Sequence, residues 1–375
     1  MGIHLKDSKP NASNDWDSII NLLEQEYSDA EQPLDLKSTE HVHVAADYRT
    51  RIFKVSKLLS KTLKRLYIVD TPQAREVVCN PHVVGEELHD RMYATSVETM
   101  KAISQLTDAF SDGSTAVLYH IWRASPGYRW TNAYKTVVGK ELPEIGIRTK
   151  YVIKSYRKHE KVKRLKIVAR NFKVLRKIQE SEGLSKELTI LNVDTVATGN
   201  SGKKAINALV SYANANGLKI KRVVLGGLMS VEGLQALTET AERHGIEVYA
   251  FPLVALTGLY PSNRYDMPLY GYDEQEWRKK KQIIKIGSII DKQTLLDCLP
   301  YYLHSLDTAG DFSDRQIRLY NGKKYETVDL RQHLRRTRTF IRNILKMPGL
   351  TGWQIKIGKN KLRKINDELK KLSTV

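Results

Sequence analysis

The sequence predicts an α/β fold. A parallel, twisted sheet flanked by helices is expected over residues 111–275, preceded by a helical N-terminal part of the core over 41–110. A basic, mostly helical C-terminal extension follows over 276–375. Three observations predict this. From residue 114 onward, short apolar runs alternate with stretches of helical periodicity, the pattern of βαβ units with right-handed crossovers. The run Leu188–Val193 is followed by a carboxylate, then small residues, then a helix, and ligands of such sheets bind beyond the carboxyl ends of the strands. Finally, residues 276–375 hold 23 Lys plus Arg against 10 Asp plus Glu, so +13 of the chain's +19 sits there.

Taken in order, residues 1–40 are polar and lean acidic, and read as a flexible N-terminal arm. Asn14 or Asp15 is placed to cap a short helix through Ile19, Ile20, Leu22 and Leu23. His41 and His43 share one face of an extended segment; a metal site needs more ligands, so a structural role is expected. Ile52, Val55, Leu58, Leu59 and Leu63 fall at helical spacing over 49–68, and a second helix is expected over 86–109. Thr115–Trp122 and Leu188–Val193 read as strands, Ala205–Ala215 as a helix, and Lys221–Leu225 as a strand. Val231–His244 follows as a helix and Glu247–Phe251 as a strand. The Lys- and Arg-rich stretch Lys150–Phe172 reads as a two-stranded arm (Tyr151–Tyr156 and Arg164–Arg170) turning near His159 and Glu160. In the extension, apolar residues recur at helical spacing over 331–346 and 361–372.

Bulk properties narrow the class. With 41% hydrophobic and 27% charged residues, the chain supports a packed core and is not globally disordered. A net charge of +19 points to a polyanionic partner (nucleic acid, a phosphate-rich substrate or an acidic membrane surface) or to an enzyme with a basic surface. Cys79 and Cys298 are far apart and outside any CxxC pattern, which supports neither a disulfide framework nor a zinc site. The start Met1-Gly2-Ile3-His4-Leu5-Lys6 has no apolar run of a signal peptide, and Lys6 departs from the myristoylation pattern. No stretch reaches the roughly 18 apolar residues of a membrane span. A soluble, cytoplasmic protein is the expectation.

The chemistry concentrates in Ile190-Leu191-Asn192-Val193-Asp194-Thr195-Val196-Ala197-Thr198-Gly199-Asn200-Ser201-Gly202. A strand delivers a carboxylate, then a loop of hydroxyl and glycine residues, then a helix from about Lys203. Loop N–H groups and the helix dipole favour an anion there. Thr198 and Ser201 add hydroxyl donors, and Gly199 permits close backbone approach. Asp194, ill suited to phosphate, suits a ribose diol. The segment reads as a ribose-5-phosphate site.

That segment resembles the phosphoribosyl pyrophosphate (PRPP) loop of type I phosphoribosyltransferases, in which an acidic pair precedes Thr-Gly-x-Ser/Thr; Val193 stands where the first acid of the pair is expected. Tyr119-His120-Ile121-Trp122-Arg123-Ala124-Ser125-Pro126-Gly127 resembles the strand-end segment of uracil phosphoribosyltransferases, and Ile145-Gly146-Ile147-Arg148 their second arginine segment. Val224–Gly233, with Glu232-Gly233, is similar to the next strand-and-turn of that family. The resemblance implies a type I phosphoribosyltransferase fold and a pyrophosphate site at Arg123 and Arg148, with Arg157 as the substitute if the arm aligns differently. Arg suits this role, since its rigid fork grips phosphate oxygens and keeps its charge. The family's base-binding run is matched only loosely by Tyr260–Gly271. There Asp266 is retained, Tyr265 or Tyr270 is placed to stack a base, and Gly271 closes the run.

Two functions follow. In the first, the resemblance implies phosphoribosyl transfer from Mg²⁺-bound PRPP to a nitrogen of a pyrimidine or related base, releasing pyrophosphate. Asp194 would hold the ribose, while Thr195, Ala197, Thr198, Gly199, Asn200 and Ser201 hold the 5-phosphate. Arg123 and Arg148 would stabilise departing charge, with Asp266, Tyr270 and Gly271 near the base. His159 is the one histidine considered as a base, and a homodimer is the family's expectation. In the second, a catalytically inactive protein on the same scaffold binds nucleic acid through residues 276–375. Arg331, Arg335, Arg336, Arg338 and Arg342 form a stripe suited to tracking phosphates.

Overall fold

The computed structural model describes residues 16–56, 63–153 and 163–373. Nine strands form one sheet: β1 (Thr39–Val42), β2 (Arg51–Val55), β3 (Leu63–Asp70), β4 (Thr115–Ile121), β5 (Glu144–Ile153), β6 (Lys163–Asn171), β7 (Glu187–Val193), β8 (Lys219–Ser230) and β9 (Glu247–Thr257). Their order is β1-β2-β3-β9-β8-β7-β4-β5-β6. The six strands from β3 to β5 in that order run parallel, and β1, β2 and β6 extend the two edges antiparallel. Two small hairpin-like ladders lie outside it: β10 (Gly271–Tyr272) with β11 (Lys285–Ile286), and β12 (Arg318–Tyr320) with β13 (Tyr325–Thr327).

Eleven α-helices are found among the described residues: α1 (Trp16–Glu26), α2 (Pro72–Cys79), α3 (Gly85–Leu106), α4 (Trp130–Val138), α5 (Lys173–Glu180), α6 (Asn200–Ala215), α7 (Val231–Glu242), α8 (Glu274–Lys280), α9 (Lys292–Cys298), α10 (Leu330–Ile344) and α11 (Gly352–Lys371). The chain is an α/β protein with a mostly parallel sheet. Its central strands read as continuous apolar runs because both faces are covered. Alternate residues divide between two cores. Val117, Ile190 and Leu225 face Leu175, Leu209 and Leu237 of α5, α6 and α7. Leu118, Leu191 and Val224 face the side formed by α3, α4 and the C-terminal helices.

The extension packs into that second core. Leu334, Ile341 and Ile344 of α10 and Ile365 of α11 are fully buried. Two buried cations lock it to α2. Arg315 donates to the carbonyls of Val77, Asn80, Val83 and Ala309, and Lys361 donates to Cys79 O and Asn80 Oδ1. Among these acceptors, Val77 O and Cys79 O belong to the last turn of α2, where a helix leaves its carbonyls without intrahelical partners.

Two expectations are corrected. Residues 49–68 are not helical: β2 and β3 pair antiparallel, and β3 joins β9 in parallel. Ile52 faces one core while Val55 and Leu63 face the other, as the alternation of strands requires, and sheet pairing of the β-forming Leu66-Tyr67-Ile68-Val69 run overrides the helical spacing. Leu58 and Leu59 lie outside the described residues. The expected loose arm is packed where it is described. Ile20, Tyr27 and Leu34 are buried, and the Tyr27 hydroxyl meets His304 Nε2 at 2.7 Å. The cap residues Asn14 and Asp15 lie outside the described residues, as do His159, Glu160 and Arg157 in the arm between β5 and β6.

Candidate functional site

The parallel sheet changes direction at one place. From β4 the chain crosses to β5 on one side, and from β7 it crosses to β8 on the other, while β4 and β7 are neighbours. A crevice at the carboxyl ends of two such strands is where ligands of open α/β sheets bind. Arg123 follows β4, Arg148 lies on β5 beside it, and Asp194 follows β7.

The loop after β7 is held from beneath by backbone. Asp194 N–H donates to Gly226 O at 3.1 Å and Val196 N–H to Leu228 O at 2.8 Å, continuing the β8 ladder beyond the strand. Two glycines make room for it. A Cβ on Gly227, whose φ is +108°, would lie 2.1 Å from Asp194 O, and one on Gly233 would lie 2.3 Å from Ala197 O. The Ser230 hydroxyl donates to Ala197 O at 2.5 Å. Gly199 (φ +69°) turns the chain into α6, which starts at Asn200, three residues earlier than expected, and no side chain caps it. Its first N–H groups therefore face the loop without a protein acceptor.

Side chains tie this loop to its neighbours. Thr195 Oγ1 and the Tyr128 hydroxyl are 2.7 Å apart, and Leu228 N–H donates to the same hydroxyl at 3.3 Å. Thr149, next to Arg148, donates to Ser201 Oγ at 3.0 Å. Thr198 is half-buried and Asn200 exposed. The Asp194 carboxyl is buried, and burial pushes it up to about 7, opposed only by the Thr195 N–H. No cation is paired with it among the described residues.

The arginines converge from the next two strands. Arg123 has φ +111°, an uncommon conformation for a residue with a side chain. Its Nη2 reaches Asp314 Oδ1 at 3.3 Å, while its buried Nε has no partner among the described residues. Arg148 Nη1 lies 3.5 Å from Trp122 O. Burial, and then the charge of Arg123, hold the Arg148 guanidinium below its ordinary range. Two cations thus crowd one end of the sheet, with Asp314 their one ion-pair partner among the described residues.

Sequence reasoning missed the wall that the extension builds here. Phe312 stacks on Tyr128 with ring centres 4.3 Å apart. Gln316 Nε2 donates to Arg123 O and Ala124 O, and Gly127 has no Cβ because Gln316 Cδ would lie 2.5 Å from it. Residues 311–316 carry no periodicity, and no local signal marks them.

The loop Tyr260–Gly271 is a correction. Tyr270 is fully buried among Tyr27, Tyr302 and His304 and bonds Gln354, so it has no free face for a base. Gly271 pairs with Ile286, and a Cβ there would lie 2.4 Å from Ser305 Cα. Three rings, Tyr27 from the N-terminal part and Tyr302 and His304 from the extension, pack around Tyr270. Asp266 lines a separate cavity of about 210 Å³ together with Asp307, Asp311, Asp314, His333 and Arg336. Its carboxyl is pushed up to about 7 by burial and by Asp307. Tyr265 is exposed. Among the described residues no group of three or more His, Cys, Asp or Glu is arranged to hold a metal, and no helix is long and apolar enough to cross a membrane.

No family model matches the chain, and no curated protein sequence matches it. Among solved structures it is similar to the adenine phosphoribosyl transferase from Trypanosoma brucei in complex with AMP, pyrophosphate and ribose-5-phosphate. That match has 11% identity and a TM-score of 0.29, covering 50% of this chain and 83% of that one. It is also similar to the adenine phosphoribosyltransferase from Leishmania tarentolae at 13% identity and a TM-score of 0.23, covering 45% and 71%.

Proposed function

We propose that the chain binds PRPP at the ends of β4, β5 and β7 and transfers the phosphoribosyl group to a nitrogen of a pyrimidine or related base. The observation that carries this reading is convergence. A buried, unpaired carboxylate, an uncapped helix start behind a small-residue loop, and two crowded guanidinium groups share one topological switch point.

In this reading Asp194 accepts the ribose hydroxyls, and the N–H groups of residues 197–201 with the Thr198 and Ser201 hydroxyls bind the 5-phosphate. The bond from the sugar's anomeric carbon to pyrophosphate breaks as the bond to the acceptor nitrogen forms. Arg123 and Arg148 are placed for the negative charge that develops on the leaving oxygens. Mg²⁺ bound with PRPP would supply neutralisation of part of that charge, and a cation held mainly by substrate phosphates needs few protein ligands. Tyr128 and Phe312, both fully buried, stack on each other and brace the wall of the crevice from behind.

Calorimetric titration with Mg²⁺-PRPP, beside an Asp194→Asn variant, tests this. Micromolar binding that the variant loses is expected, followed by pyrophosphate release with a suitable base. A folded protein that binds no PRPP would sink the reading.

A further inference from the structure

A second feature lies away from this crevice, in the extension. Trp16 at the start of α1 and Trp353 in the first turn of α11 meet edge to face, 5.5 Å between ring centres at 88°. They line an open groove of about 580 Å³, with Pro300, Ile357 and Asn360 completing its apolar and neutral side. The remaining lining is Lys356, Lys359 and Arg363, and no carboxylate contributes to it. On α11 the residues 353, 356, 360 and 363 recur at three- and four-residue steps and so share one face. Neither Lys356 nor Lys359 has an ion-pair partner among the described residues, and both are exposed. Beside Pro300, Tyr301 is 60% exposed.

We propose that this groove binds single-stranded nucleic acid. The argument is charge and shape together. Half-buried indole rings lining an open groove offer stacking surface to unpaired bases, and cations interleaved at helical spacing track a phosphate chain. From Lys356 to Arg363 the stripe runs about 10 Å along the helix, longer than one phosphate group requires. A strand therefore fits better than a free nucleotide. The excess of +13 over residues 276–375 supplies the long-range attraction. This site is independent of the PRPP reading, since none of its lining residues belongs to the switch-point crevice.

The test uses the full chain and short fluorescein-labelled oligonucleotides, read by anisotropy against salt concentration. Trp353→Ala is expected to weaken single-strand binding about tenfold or more. Because Trp353 is half-buried, Lys356→Glu with Lys359→Glu serves as a second variant at exposed positions. It should weaken binding and flatten the dependence of log K on log salt by about 1.4, from roughly 0.7 per lost phosphate contact. Arg331→Ser with Arg335→Ser and Arg342→Ser, on α10, should change affinity less than about threefold. Any of four results overturns the proposal: no binding by the folded protein, equal loss in the α10 variant, equal affinity for a duplex or for polyglutamate, or equal affinity for AMP alone.

Discussion

Titration of Asp194 sets the pH dependence of the site. Its carboxyl is held at about 7 instead of 3.8 because it is buried with no cation beside it. The difference is worth about 4 kcal/mol in favour of the neutral form, at 1.36 kcal/mol per pH unit. A carboxylate accepts hydrogen bonds from both hydroxyls of a ribose diol, whereas a neutral carboxyl turns one acceptor into a donor. With a midpoint near 7, the group is about nine-tenths ionised at pH 8 and about one-tenth at pH 6. PRPP affinity should therefore fall about tenfold between those values. Calorimetric titration over that range measures it; the ligand's own phosphates titrate near 6, below the midpoint expected of Asp194. A flat profile, or one whose midpoint lies near 6, would refute the reasoning. Stability moves the other way. A carboxyl whose folded value is raised contributes stability that is fully present below its unfolded value near 3.8, and that is lost as pH rises through about 7. The Asn variant should thus be more stable than the wild type at pH 8 and close to it at pH 4, losing binding while gaining stability.

Other perturbations bear on different parts of the structure. Asp314→Asn releases Arg123 from its ion-pair partner; the pair is partly exposed and worth up to about 1 kcal/mol, so PRPP should bind up to about fivefold more tightly by calorimetry. Gly233→Ala places a Cβ 2.3 Å from Ala197 O; the loop must shift, with a loss of about 1–3 kcal/mol in urea unfolding and loss of PRPP binding. Arg315→Met leaves the carbonyls of Val77, Asn80, Val83 and Ala309 without their donor. It should destabilise by about 3–5 kcal/mol in the same assay, whereas the exposed Arg335→Met should stay within about 0.5 kcal/mol.

The aromatic and charged wall at residues 311–316 changes how the extension is understood. Charge and helical spacing mark residues 276–375 as an appendage, and the structure makes part of them a side of the crevice. Phe312 covers Tyr128, Asp314 faces Arg123, and Gln316 holds the backbone of Arg123 and Ala124. On the proposed reading, an anionic ligand at the arginine pair would compete with Asp314, a carboxylate from the extension.

By itself the sequence determined what local pattern encodes. The alternation of β7, β8 and β9 with α6 and α7 follows from short continuous apolar runs that alternate with longer stretches of period 3.6. The turn Asp194–Ser201 is legible because a small-residue loop between a strand and a helix has few alternatives; that Gly227 and Gly233 make room for it is a tertiary contact. What only the tertiary structure decided are contacts between residues far apart in the chain. Leu63 sits in a strand because β3 pairs with β9, more than 180 residues away, and Ile52 and Val55 follow because β2 pairs with β3 and β1. Tyr270 reads locally as a loop aromatic and is buried because Tyr27, Tyr302 and His304 close on it. The wall at Phe312–Gln316 meets Arg123 across about 190 residues. Periodicity reports which face of an element is apolar; which partner covers that face depends on how the rest of the chain packs.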